Sequence, residues 1–94
     1  MKFTQSAQAD LLEAWLYIAE ENPAAADQIL ETIAHEAETL STQPLMGSAR
    51  SELAVGVRSW PTSTRYILFY LADNYGVTGL RVLHHASDVR RIGF

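Results

Sequence analysis

The chain has 94 residues, 48% of them apolar and 19% charged, which suits one folded domain over residues 1–94 and argues against wholesale disorder. It has no cysteine, which excludes disulfides, thiolate metal sites and a cysteine nucleophile. No apolar run is long enough to span a bilayer, so neither a leader nor a membrane partner is expected, and the expected location is cytoplasmic.

The net charge of −4 hides a polarity. Up to Gln43, Lys2 stands against eight acids, a net −7, while the remainder sets six arginines against Glu52, Asp73 and Asp88, a net +3. Arginine in place of lysine favours planar, bidentate contacts with carboxylate or phosphate. Either the basic half faces an anionic partner or its arginines pair with the acidic half inside the fold; the charge pattern does not choose.

Met1 to Gln5 is short and reads as an edge strand. Ser6 is the expected N-cap of a helix running to about Glu21, with Leu11, Leu12, Trp15, Ile18 and Ala19 on its apolar side and Asp10 suiting the helix dipole. Asn22-Pro23 ends it, because the residue before a proline resists the helical region, while Asn as cap and Pro at the first position open a second helix. Ala26, Ile29, Leu30, Ile33, Ala37 and Leu40 then form one stripe ending near Thr42, ahead of Pro44, with Asp27, Glu31 and Glu38 on the solvated side. So tight a junction folds the two helices back as a hairpin over about residues 7–42.

From Leu53 the period changes. Leu53, Val55 and Val57 alternate with Ala54, Gly56 and Arg58, the repeat of a strand that Pro61 interrupts. Arg65 to Leu71 is almost continuously apolar and aromatic, as in a strand covered on both faces or central in its sheet. Asp73-Asn74-Tyr75-Gly76 is a turn, and Val77 to His84 the next strand, with Leu80 and Val82 expected opposite to Arg81 and Leu83. The class is α+β: an N-terminal helical hairpin packed on an antiparallel sheet. Trp15, Ile18, Ile29, Ile33, Leu40, Leu68, Leu80 and Val82 are the predicted core.

No acid, base and nucleophile stand at catalytic spacing and the five glycines form no phosphate loop, so no catalytic residue, metal site or cofactor is expected. Adjacent strand residues point to opposite faces, so His84 and His85 are not expected to chelate one metal together. Arg58 and Trp60 share one side of their strand; an exposed Arg beside an indole suits RNA bases or an anionic peptide, and a Trp60 buried over the end of the core is the bland alternative. Arg65 and Arg81, with His84 or His85, could stabilise a transferring phosphoryl group or receive a partner's carboxylates. The residues leave both open.

A further pattern lies in the order of several stretches: Asp10-Leu11-Leu12 with Trp15 and Tyr17-Ile18-Ala19; Asn22-Pro23-Ala24-Ala25-Ala26; Leu40 followed by Pro44-Leu45-Met46-Gly47; and Arg50-Ser51-Glu52-Leu53. Then come Gly56-Val57-Arg58-Ser59, Tyr66-Ile67-Leu68-Phe69-Tyr70, Leu80-Arg81-Val82-Leu83-His84, Asp88 and Ile92. Together they resemble the ParE-type toxins of bacterial type II toxin–antitoxin modules, in the RelE/ParE superfamily. The resemblance implies a βααβββ fold and a non-enzymatic toxin. It also implies a cognate antitoxin that neutralises the toxin by wrapping around it in a toxin–antitoxin hetero-oligomer. Inhibition of DNA gyrase, blocking replication by binding, is the implied activity.

The RelE branch implies the alternative, a ribosome-dependent mRNA interferase using Arg65, Arg81, His84 and His85. An acidic chain with one lysine has a poor electrostatic footprint for rRNA, and direct nucleic-acid binding is not expected outside a gyrase–DNA complex. Where the family often ends His-Gly-x-Arg-Asp, this chain reads His84-His85-Ala86-Ser87-Asp88, with Arg90 and Arg91 a turn later. The expected target-binding residues are Arg81, Arg90, Arg91 and Phe94, with a disordered tail as the alternative for residues 90–94. The expected antitoxin-binding residues are Leu45, Met46, Val55 and Trp60, flanked by Arg50 and Arg58; the alternative is that Leu45 and Met46 plug the open end of the hairpin.

Overall fold

The computed structural model describes residues 1–94. In chain order it holds β1 (Lys2–Phe3), α1 (Gln5–Ala19), α2 (Pro23–Thr42), β2 (Ser48–Ala49), β3 (Val57–Pro61), β4 (Tyr66–Asp73), β5 (Gly76–His84) and a 3₁₀ turn at Val89–Arg91. The strands make one sheet in the order β1-β5-β4-β3-β2. β1 lies parallel to β5 and every other pair is antiparallel, so the sheet is mixed; the βααβββ order is observed with the two-residue β2 added. No helix is long and apolar enough to cross a membrane.

Thr4, not Ser6, caps α1. Its Oγ1 accepts from the Ala7 N–H at 3.1 Å and donates to the Leu80 carbonyl at 2.9 Å, so the helix start is tied to the sheet as it forms. At α2 the predicted cap is in place: Asn22 Oδ1 accepts from the Ala25 N–H at 3.1 Å, with Pro23 in the first turn. Trp15 Nε1 donates to Asp27 Oδ1 at 2.8 Å, joining the two helices across the hairpin.

The helices cover one face of the sheet. Ala7, Ala14, Ile33, Ala37 and Leu40 meet Tyr66, Leu68, Tyr70 and Val82 there, all buried. On the opposite face Val57, Phe69 and Leu83 are buried under Leu53, Ala54, Val89 and Ile92. β4 is therefore covered on both sides, which is why it reads as a continuous apolar run. Of the predicted core, Ile33, Leu40, Leu68 and Val82 are buried, while Trp15, Ile18, Ile29 and Leu80 are half-buried.

Three expectations need correction. The alternation at Leu53 and Val55 belongs to turns, and only Val57 enters a strand; Gly56 has φ +81°, a left-handed conformation that breaks any ladder before β3. Leu80 and Val82 do not share a face. Phe69 pairs with Arg81 but Tyr70 with Gly79, so Leu80 is an inserted residue of a β-bulge; it packs with Phe69 and Leu83 while Val82 turns to the helices. Asp10, finally, lies too far into α1 to serve the dipole and is nearly buried against β5.

There Asp10 finishes the sheet edge. β1 pairs only with Thr78 and Gly79, and beyond it the Val82 N–H donates to Asp10 Oδ2 at 3.0 Å. The same carboxylate takes Arg81 Nε at 2.7 Å and Arg81 Nη2, on Oδ1, at 2.8 Å. At the other edge the Arg50 N–H donates to the Val57 carbonyl, so by alternation Pro61 faces outward, where it has no N–H to offer a second chain.

Candidate functional site

Tyr70 fixes the segment that follows α2. Fully buried, it donates its hydroxyl to the Pro44 carbonyl at 2.6 Å and accepts from the Gly47 N–H at 2.9 Å. A Cβ at Gly47 would lie 2.5 Å from that oxygen, so only glycine fits. Arg58, across the ladder from Tyr70, donates to the Gly47 carbonyl at 2.6 Å. The pinned loop turns Leu45 (74% exposed) and Met46 (37%) to solvent; neither is buried in the end of the hairpin.

Trp60 is half-buried against the helix-side core and donates Nε1 to Glu36 Oε1 at 2.9 Å. Glu36 also receives the Ser63 N–H at 3.0 Å and Ser63 Oγ at 2.7 Å. Burial alone would raise the Glu36 carboxyl; the hydrogen bonds from Ser63 and Trp60 outweigh it and hold the group below the ordinary carboxylate value. Arg50, by contrast, lies over the Phe69 ring at 5.8 Å and donates to Glu52 at 2.7 Å. That bond holds the Glu52 carboxyl low. Arg50 and Arg58, expected to flank one patch, thus lie on opposite faces of the sheet. Val55 is 94% exposed in the intervening loop.

The C-terminal residues are ordered by local contacts. The Arg90 N–H donates to Asp88 Oδ1 at 3.3 Å and Arg91 pairs with Asp88 Oδ2 at 3.3 Å. Phe94 rests on Phe69 with ring centroids 5.2 Å apart. Arg90 and Arg91 extend into solvent. Arg81, expected beside them, is instead engaged by Asp10, the one arginine paired with the acidic helical half. Arg65 is exposed without an ion-pair partner.

The two histidines do not diverge as strand neighbours would. β5 stops at His84, where the His85 N–H donates to the Arg65 carbonyl at 2.8 Å and the Ala86 N–H to His84 Nδ1 at 3.1 Å. The turn stacks the two rings with centroids 4.4 Å apart, and His84 meets the edge of Tyr66 at 5.6 Å. No group of three or more His, Cys, Asp or Glu side chains gathers to hold a metal ion.

Beside this turn, between α1 and the end of β5, lies a cleft of about 350 Å³ lined by Asp10, Glu13, Tyr17, Tyr66, His84 and Ser87. Asp10 is neutralised by Arg81, but Glu13 has no ion-pair or hydrogen-bond partner. Burial, with the nearby Tyr17 and Glu13, raises the Tyr66 hydroxyl above its ordinary value. The sequence signal was thin: Glu13 and Tyr17, one turn apart, sit on the exposed side of α1 with Leu12 and Leu16.

Comparison with protein families matches residues 1–89 to the model described as "ParE toxin of type II toxin-antitoxin system, parDE". The chain belongs to the ParE toxin family. Among solved structures it is similar to one described as the chromosomal ParDE TA system from P. aeruginosa, at 21% identity, covering 88% of this chain and 91% of that one, with a TM-score of 0.74. At that identity the likeness is one of fold. No curated protein sequence matches. The ParE match ends at Val89, so Arg90, Arg91 and Phe94 lie outside the segment that defines family membership.

Proposed function

We propose that this ParE-family toxin acts by binding, with DNA gyrase as its target, and is silenced by an antitoxin. The observation carrying the binding reading is the state of Arg81. Its Nε–Nη2 edge is committed to Asp10, which turns the guanidinium toward α1 and leaves only the Nη1 end to meet a scissile phosphate together with Arg65, His84 and His85. Support for gyrase rests on the family alone. Arg90 and Arg91 are the exposed cations through which the toxin meets phosphate or acidic protein groups, with Phe94 seated beside them. Leu45 and Met46, on their pinned loop, are the apolar anchors for the antitoxin, with Arg58 and Trp60 behind them.

The test is a gyrase supercoiling assay run beside ribosome-dependent mRNA cleavage with the purified chain. Inhibited supercoiling with intact mRNA is the expected result. Reversal of Arg90 and Arg91 to glutamate should remove inhibition and leave thermal stability within about 0.5 kcal/mol. Cut mRNA that depends on Arg65 or His84 would overturn the binding reading.

A further inference from the structure

We propose that the cleft between α1 and the end of β5 receives a side-chain cation, an arginine or lysine, from the antitoxin, laid along the exposed face of α1. The proposal rests on the reading above that an antitoxin holds this chain.

Three observations converge on it. The cleft has the tyrosines Tyr17 and Tyr66 in its lining and the unpaired carboxylate of Glu13 among them, the two features that attract a guanidinium or ammonium. The nearby Arg81, outside the lining, turns its Nε–Nη2 edge to Asp10 and makes neither a hydrogen bond nor an ion pair with Glu13, whose charge it feels only at a distance. Leu12 (59% exposed), Leu16 (55%) and Tyr17 (74%) continue from the cleft along the outer side of α1, with Glu13 among them and Glu20 at the helix end beyond. An apolar strip set with acids, on the half of the chain that carries a net −7 (Lys2 against eight acids), fits a segment bearing apolar anchors and a basic residue. The surface is separate from Leu45 and Met46, so a partner touching both must reach from one end of the helical hairpin to the other.

The experiment titrates the ¹⁵N-labelled full-length toxin with N-acetyl-arginine methylamide and, as control, the uncharged norvaline and citrulline amides. Saturable shifts confined to Glu13, Tyr17, Tyr66, His84 and Ser87 are expected from the arginine probe alone. They should weaken about threefold to fivefold in the exposed-site variants Glu13→Gln and Tyr17→Ala. Shifts that spread without saturation, or that persist in Glu13→Gln, would overturn the proposal. In the second arm the toxin is co-expressed with the product of the adjoining reading frame. The expected complex buries Tyr17 and blocks the arginine probe. A complex that leaves the cleft open to the probe assigns it to a free small-molecule cation and overturns the antitoxin as its source. Failure of any protein to co-purify overturns the antitoxin reading itself.

Discussion

On the helix side of the sheet Leu68, Tyr70 and Val82 meet Ile33, Ala37 and Leu40 in one continuous core, whereas on the other side Val57, Phe69 and Leu83 lie beneath a loop and the turn at Val89–Arg91. Regular helices lock many side chains at once, so losing one contact there strains the rest. The opposite cover is irregular and made of half-buried Leu53, Val89 and Ile92, and it carries the exposed Arg90 and Arg91. Stability is therefore concentrated on one face, and Arg90 and Arg91, proposed above to meet the target, ride on the other, where local opening costs less.

The contrast is broken most directly by deleting matched side chains and measuring denaturant unfolding. Leu68→Ala should cost about 2–5 kcal/mol, against roughly 1 kcal/mol for Ile92→Ala; equal losses would refute the asymmetry. Asp10→Ala comes next, at about 3 kcal/mol, because it strands the Arg81 guanidinium and the Val82 N–H together. Replacing Arg81 by Met in the Asp10→Leu background should recover part of that loss, which would not happen if Asp10 served only α1.

Glu36→Gln should cost roughly 1 kcal/mol at neutral pH by weakening the bonds from Ser63 and Trp60. Since the folded-state pKa of Glu36 is lowered, its contribution is present above the ordinary value of 4.5 and is lost as pH falls through the lower folded value. The gap between wild type and variant should accordingly narrow in melts below pH 4.5. The smallest effect belongs to Phe94→Ala, about 0.5 kcal/mol, seen best as faster hydrogen exchange over Val57 and Phe69 with β5 beneath the helices unchanged.

What the sequence discloses tracks how local the cause is. The start of α2 depends on Asn22 and Pro23 and its stripe on nearest turns, and both are legible. The Asp73-Asn74-Tyr75-Gly76 turn, where the Tyr75 N–H donates to Asp73 Oδ1 at 2.7 Å, is equally plain. Thr4 and Ser6 are both competent caps, and the choice falls to Thr4, which also bonds Leu80, 76 residues away. The alternation at Leu53 and Val55 mimics a strand in residue type alone: Leu53 packs on the second core while Val55 is 94% exposed. The bulge at Leu80 had one local signal, the isolated Gly79 just before it in the strand pattern, which the alternation passed over. The cleft was not legible because Glu13, Tyr66 and Ser87 belong to α1, β4 and the turn after β5, and only the packing of α1 on the sheet brings them together.

The Tyr70 hydroxyl links the core to recognition in one further way. Because it grips Pro44 and Gly47 in the free protein, the backbone around Leu45 and Met46 is ordered when the chain folds, not when a partner arrives. Ordering a flexible backbone costs about 1–2 kcal/mol per residue, and a partner docking on this loop avoids most of that expense. In the antitoxin contact proposed above, two exposed side chains are thereby preorganised, and the lifetime of that contact would depend on a tyrosine no partner touches. Tyr70→Phe would leave Leu45 and Met46 in the sequence yet shorten the residence time of whatever holds them, a change in dissociation rate without any altered contact residue.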